Sequence, residues 1–291
     1  MVQAELSNRS KGIICIIVSA FGFAMMSAFI KLAGDLPTFQ KTFFRNLVSC
    51  VVAFIMVTKA KQSYFGSREN RRLLNLRSAF GTLGIIFNYY AIDRMVLSDA
   101  NMLNKLSPFF VIIFSALFLK EKIKTNQIAA VLVAFVGALF IIKPTFDLEM
   151  LPSIVGVAGA LCAASAYTCL RVLGKKENGA TVVFYFSLFS LVVIFPIMIM
   201  TYEPMSMIQL MYLLLAGVFA TVGQFGVTWA YKYAPAKEIS IFDYSNIIFS
   251  AIISVVLFSV FPDKFSVFGY FVIFSASFYM FMYNKKSEEC N

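Results

Sequence analysis

A lysine, two asparagines and a proline recur at one helical spacing within an otherwise apolar stretch. Asn101, Asn104, Lys105 and Pro108 fall at i, i+3, i+4 and i+7 and share a helix face. A charge placed deep in an apolar span costs at least ~2.5–3.5 kcal/mol on insertion scales, so Lys105 needs a reason to be there. One reading makes it an anion or carboxylate contact lining a central cavity. In the other it reaches back to the surface or pairs with Asp99. Pro108 removes a backbone hydrogen bond and frees a carbonyl beside the stripe. A second stripe, Asp243, Asn246, Ser250 and Ser254, offers the opposite charge, suited to a coupling proton, a substrate amine or a structural hydrogen bond. Rise per residue in two straight helices places Lys105 and Asp243 roughly 12 Å apart along the membrane normal, beyond salt-bridge reach.

Other polar positions are weaker. Arg45, one turn beyond Lys41, either draws anions toward an outer entrance or serves as a snorkelling or helix-pairing arginine. Arg77 shares a face with Gly81, Gly84 and Asn88 but lies one turn from the cytoplasmic boundary, where a structural role is expected; the glycines suit close helix packing. Asn88, Gln224 and Thr228 are further cavity candidates. Tyr167 and Tyr244 lie deep enough to contact substrate, whereas Tyr89, Tyr90, Trp229 and Tyr231 fit aromatic belts at span ends.

Several chemistries are missing. The chain has no histidine, which excludes His-dependent acyl transfer, His-ligated zinc or haem and histidine proton relays. There is no Walker-type phosphate loop and no constellation of cysteine, acid and base, so an enzyme is not expected. Nor does the first span carry a carboxylate. Five cysteines lack metal-ligand spacing, and no metal or other cofactor is expected.

The elements that carry these residues follow from hydropathy. The chain is 60% hydrophobic and 14% charged, with a mean hydropathy of +0.80, far from a soluble domain. The apolar residues fall into stretches of about 20, the length of a helix that crosses a bilayer. The expected spans are 11–31, 38–58, 73–92, 98–119, 125–143, 151–171, 179–201, 207–231, 238–261 and 264–284, the first read as a span rather than a removed signal. Connections are short, so function must reside in the bundle. With the N-terminus inside, the cytoplasmic segments collect 17 Lys and Arg against 5 opposite, leaving Arg45, Arg77 and Lys105 within spans. The net charge of +10 thus sets orientation, and no basic domain exists to hold nucleic acid.

A shift of 139 residues lays 73–123 over 212–262 with nine identities in 51 positions. Among them are Phe80/Phe219, Thr82/Thr221, Gly84/Gly223 and Ala91/Ala230. Asn104 falls over Asp243 and Lys105 over Tyr244. Five helices per half would set the second half in the membrane the other way up, a pattern of secondary transporters.

With Arg45 early in the second span, Pro108 in the fourth, Leu119-Lys120-Glu121 at its end and Gln127 to Gly137 in the fifth, the chain resembles the EamA-type carriers of the drug/metabolite transporter superfamily. Asp243-Tyr244-Ser245 and Phe258 to Asp263, followed by Gly269, look like the matching end of the second repeat, close to the branch of S-adenosylmethionine uptake carriers and aromatic amino-acid exporters. Lys120 and Val260 depart from the family's usual glycine and glutamate. The resemblance implies an all-α membrane protein of ten transmembrane helices, in two inverted five-helix repeats over 1–147 and 148–291. Both termini would be cytoplasmic, in a bacterial cytoplasmic membrane, with the chain a monomer or homodimer. The expected activity is secondary transport of a small polar or zwitterionic metabolite by alternating access, an amino acid or a derivative. Lys105, Asn101, Asn104, Arg45, Asn88, Tyr167, Gln224, Asp243, Tyr244 and Asn246 are the expected contacts. A lipid-handling protein or a passive channel is the alternative.

Overall fold

The computed structural model describes residues 8–119, 125–143, 150–173, 176–233 and 240–289; Lys120 and Glu121 of the expected family motif lie outside them. Every regular element among the described residues is helical. In chain order these are α1 (Asn8–Leu32), α2 (Thr38–Lys59), α3 (Arg71–Arg94), α4 (Leu97–Asn104), α5 (Ser107–Leu119) and α6 (Thr125–Ile142). There follow α7 (Leu151–Leu173), α8 (Gly179–Met200), α9 (Met207–Tyr233), a 3-10 turn (Ser240–Tyr244), α10 (Ser245–Phe258) and α11 (Lys264–Glu289). By length and composition, α1, α2, α7, α8, α9 and α11 can each cross a bilayer. The chain is an integral membrane protein, and its exterior is correspondingly apolar: Phe265, Phe268 and Phe271 on α11 and Val192 and Ile199 on α8 are exposed.

The fourth expected span is not the continuous helix that its hydropathy predicts. It breaks at Lys105–Leu106 into α4 and α5. Pro108 sits in the first turn of α5, where a missing N–H is harmless. The ladder folds back on itself there: the Lys105 N–H reaches the Met102 carbonyl at 3.0 Å and the Phe109 N–H reaches Leu106 at 3.0 Å. The ninth span is irregular at its start, entering through the 3-10 turn before α10. It stops at Ser259, whose left-handed backbone (φ 52°) turns the Ser259 and Val260 N–H groups onto the carbonyls of Val255 and Ser254.

Helices pair where small residues let backbones touch. A Cβ on Gly22 of α1 would lie 2.9 Å from the Gly223 nitrogen of α9, and one on Gly84 of α3 would lie 3.3 Å from the Ala163 nitrogen of α7. The main pairings are α1 with α9, α3 with α7, α2 with α8 and α6 with α11. Hydrogen bonds reinforce the packing: Ser19 Oγ of α1 donates to the Gly223 carbonyl of α9 at 2.6 Å, and Ser49 of α2 and Thr221 of α9 share a bond of 3.1 Å.

The end of the bundle where α1 stops and α2 begins is stitched by polar contacts. Lys41 is wholly buried and pairs with Asp93 of α3 at 2.6 Å. Lys31 donates to the Met95 carbonyl, and Lys143 pairs with Asp263. Tyr270 and Ser266 of α11 donate to the carboxylate of Asp99. Asp99 is therefore not the partner of Lys105. At the opposite end, Glu177 accepts from Asn70 Nδ2 at 2.7 Å and from the Ser67 N–H at 2.9 Å, fastening the α2–α3 loop to the α7–α8 loop.

Candidate functional site

The two broken spans meet in the interior. Lys105 Nζ lies 2.5 Å from Asp243 Oδ2, with side chains 14% and 28% exposed, so the expected separation of about 12 Å is overturned. That separation assumed two unbroken α-helices. The break ends the α4 ladder at Lys105, the 3-10 turn adds about 2 Å of rise, and the two side chains reach toward each other across the rest. Tyr244 locks the two breaks together. Its hydroxyl reaches the Lys105 carbonyl at 3.4 Å and also bonds Ser277 of α11. The ring is buried and packs edge-on against Phe274.

Beside this pair lies a corner rich in hydrogen-bond donors, built by α2, α3 and α8. Arg45 is 5% exposed; its Nη1 donates to Asn46 Oδ1 at 2.5 Å, and Asn46 is held in turn by Ser190 of α8 at 2.7 Å. Arg77, although one turn from the expected boundary, is directed into the bundle. It is 6% exposed and its guanidinium stacks on Phe186 of α8 at 3.9 Å. It also points inward along its own helix: a Cβ on Gly81, one turn deeper, would lie 3.3 Å from Arg77 Nη1 and 3.0 Å from the Phe186 ring. Glycine at 81 makes room for this arrangement. The stacking uses the face of the guanidinium and leaves its in-plane N–H groups free. Arg45 Nε, Arg77 Nε and Nη1, Ser78 Oγ, Thr82 Oγ1, Tyr89 OH, Ser187 Oγ and Asn88 Nδ2 are all buried without a hydrogen-bond partner among the described residues.

Tyr167 of α7 connects the corner to the ion pair. Arg45, Arg77 and Asp243, from three different elements, are all within its electrostatic reach, yet 49% of its surface is accessible. The nearness of these three charges puts Tyr167 on the side of α7 that faces α2, α3 and the 3-10 turn. The open grooves on the outside of α9, lined by residues such as Met211, Leu214 and Val218, are apolar and separate from this site.

The remaining expected contacts divide. Asn101 is committed to helix packing: it accepts from Ser27 at 3.2 Å and donates to Ser250 at 2.8 Å, joining α1, α4 and α10. Asn246 donates to the Ala20 carbonyl at 2.8 Å and fixes α10 to α1. Asn104 is half-buried next to Lys105, and Gln224 is half-buried on α9. Asn88 faces the α3–α7 seam, its backbone nitrogen against Gly159. Tyr89 is 1% exposed and belongs to the interior, not to the aromatic belt in which its position placed it. Asp93, the partner of Lys41, and the hydroxyls of Ser78, Thr82 and Ser187 were not anticipated. Ser78 and Thr82 sit one turn apart and next to Arg77, a polar i, i+4 pattern that the sequence does display.

The sequence pattern of the EamA-like transporter family matches residues 10–143 and again 150–282. The pseudopaline exporter of Pseudomonas aeruginosa is 31% identical over 261 residues, covering 89% of this chain and 91% of its own. Solute carrier family 35 member G1 of Homo sapiens is 25% identical over 274 residues, with 89% and 75% covered. The S-adenosylmethionine uptake transporter of Rickettsia bellii is 24% identical over 282 residues, with 93% and 92% covered. A solved crystal structure at 14% identity superposes with a TM-score of 0.68 over 96% of this chain and 99% of the other, which is the same fold. Two successive matches to one pattern cover nearly all of a helical membrane chain whose relatives are named as transporters, and the chain is thus a member of the EamA-like transporter family.

Proposed function

We propose that this protein is a secondary transporter that moves a small zwitterionic metabolite, an amino acid or a derivative, by alternating access. The observation that carries the reading is the Lys105–Asp243 pair, which joins the two helix breaks at 2.5 Å inside the bundle. A zwitterion inserted between these side chains gives its carboxylate to Lys105 and its amine to Asp243. One internal ion pair is exchanged for two without a net change of buried charge, so binding avoids the cost of isolating either group. Arg45 and Tyr167 complete the wall on the anionic side. The names of the relatives, an exporter of pseudopaline and an uptake carrier for S-adenosylmethionine, agree with metabolite transport but differ in direction.

The architecture we infer is ten spans in two inverted five-helix repeats, 1–147 and 148–291. Three observations support it. A shift of 139 residues maps Thr125, the start of α6, onto Lys264, the start of α11, and Lys105 at the first break onto Tyr244 at the second. It also exchanges the two main pairings, α1 with α9 for α7 with α3, and lays Gly84 over Gly223, the close-approach glycine of each. The family pattern matches once per half. The distribution of Lys and Arg supports cytoplasmic termini, and on that reading the stitched end of the bundle is the outer one.

The test is a thermal-shift screen of purified protein against amino acids, nucleotides and organic acids, repeated on Lys105→Ala. A ligand that binds the native state raises the midpoint with concentration. One class of compound is expected to stabilise the parent and not the variant, and the same class should enter proteoliposomes. Equal stabilisation of both proteins would remove Lys105 from the site. Protein-dependent flux of labelled lipid, insensitive to soluble competitors, would replace the carrier reading with lipid handling.

A further inference from the structure

We infer that the Arg45–Arg77 corner receives carboxylate charge additional to that held at the ion pair, so that the substrate is an acidic metabolite with at least two carboxylates. The inference rests on the carrier reading above and specifies its substrate class.

Two arginines share this corner, and neither has a carboxylate within ion-pair distance among the described residues. Lys41, the wholly buried lysine of α2, has one, as does the half-buried Lys105. Arginine stays protonated, so the corner holds two positive charges in a region that excludes water. The Phe186 face and the Asn46 amide offer partial compensation and no negative charge. The buried hydroxyls of Ser78 and Thr82 on α3 and Ser187 on α8 have no partner among the described residues, and that of Tyr89 lies within reach of Arg45; each can donate. A buried cluster of donors with two fixed cations is complementary to an acceptor-rich anion. The two charges stand on different helices, Arg45 on α2 and Arg77 on α3, within electrostatic reach of each other. Since Lys105 and Asp243 neutralise each other, the corner is where a ligand's extra negative charge finds its match. Glutamate differs from glutamine in this respect alone, as glutarate does from its monoamide.

The experiment compares matched probes on purified protein: glutarate against its monoamide, and glutamate against glutamine, each titrated in a thermal-shift assay. The parent is expected to bind the dicarboxylate of each pair at least about tenfold more tightly than its one-carboxylate partner. Arg45→Gln and Arg77→Gln should each abolish that preference, judged against each variant's own midpoint. Removal of an uncompensated buried charge should leave both variants at least as stable as the parent without ligand. If either does not fold, the preference of the parent still decides. Equal binding within both pairs overturns the inference and leaves the carrier reading intact. So does stabilisation by inorganic phosphate and not by dicarboxylates. If no amino acid or organic acid binds, and none enters proteoliposomes faster than protein-free vesicles, both readings fail together.

Discussion

Neutralising both members of the Lys105–Asp243 pair should cost far less than the sum of neutralising each alone. At 2.5 Å, with side chains 14% and 28% exposed, the two charges are mostly removed from water. In surroundings of intermediate dielectric, unit charges 4 Å apart attract by about 4 kcal/mol. Lost hydration and residual solvent access offset much of that, so a net coupling of about 2 kcal/mol is expected. Asp243→Asn strands the more buried member, Lys105, and should cost about 3 kcal/mol; Lys105→Met leaves the more accessible carboxylate and should cost about 2 kcal/mol. The double variant buries no unpaired charge and should lose about 3 kcal/mol, well short of the sum of about 5 kcal/mol. Reversible unfolding in detergent, followed for all four proteins, gives the cycle directly. Additive single effects, with coupling below about 0.5 kcal/mol, would show that the contact does not hold the two breaks together. The double variant also separates stability from function, since it should be no less stable than Asp243→Asn and yet fail to take up a zwitterion.

Two glycines make opposite predictions on alanine substitution, and a loop carboxylate makes one on pH. A Cβ on Gly269 of α11 would lie 2.6 Å from the Gly137 carbonyl and 2.8 Å from Ile141, so Gly269→Ala should cost about 1–3 kcal/mol by forcing α6 and α11 apart. On Gly156 of α7 the nearest atoms are 3.4 Å away, an ordinary contact, and Gly156→Ala should gain about 0.5–1 kcal/mol from helix propensity; midpoints that move the same way in both would refute the packing argument. At Glu177, burial pushes the carboxyl upward, but hydrogen bonds from Asn70 and Ser67 outweigh it and hold it below the usual glutamate range. The unfolded chain therefore binds this proton first as pH falls. The stabilisation is complete above the unfolded value and is lost as pH drops through the folded one; a pH–stability profile of Glu177→Gln should lack that step.

Much of the helical framework is legible in the sequence, because the cost of unpaired backbone in lipid turns hydropathy into geometry. The charges that matter are legible as well, since an ionisable residue inside an apolar stretch is conspicuous. What they touch is harder to read. Arg77 lies one turn from a span boundary, where an outward-reaching side chain is the default. Its inward direction depends on the space left by Gly81 and on Phe186, more than a hundred residues away on α8. Asp93 pairs with Lys41 across 52 residues, and no local pattern announces it. The break in the fourth span had a signal, though. Pro108 was read as a defect inside a helix, whereas proline is also at home in a helix's first turn, and that alternative places the break where it occurs.

The arrangement of charge bears on why transport would require substrate. Under the carrier reading, the two halves can rock only if contacts between them are exchanged, and Lys105–Asp243 is one such contact, linking a break in the first half to a turn in the second. Opening it in an apolar interior without replacement exposes two buried charges to each other's loss, an expense of several kcal/mol that makes the switch slow. A ligand that offers its own carboxylate and amine removes the penalty. It then stabilises the opened arrangement in proportion to its differential affinity for it, which is the only way a ligand shifts such an equilibrium. Tyr244 keeps this exchange local. Bonded to the Lys105 carbonyl and to Ser277, it holds the two breaks in register through backbone and hydroxyl groups while the side-chain charges change partners. Glutamine gives the ion pair the same carboxylate and amine as glutamate but offers nothing further to Arg45 and Arg77. On this account it should open the pair and leave the corner unneutralised, so that it is carried more weakly than glutamate and not excluded.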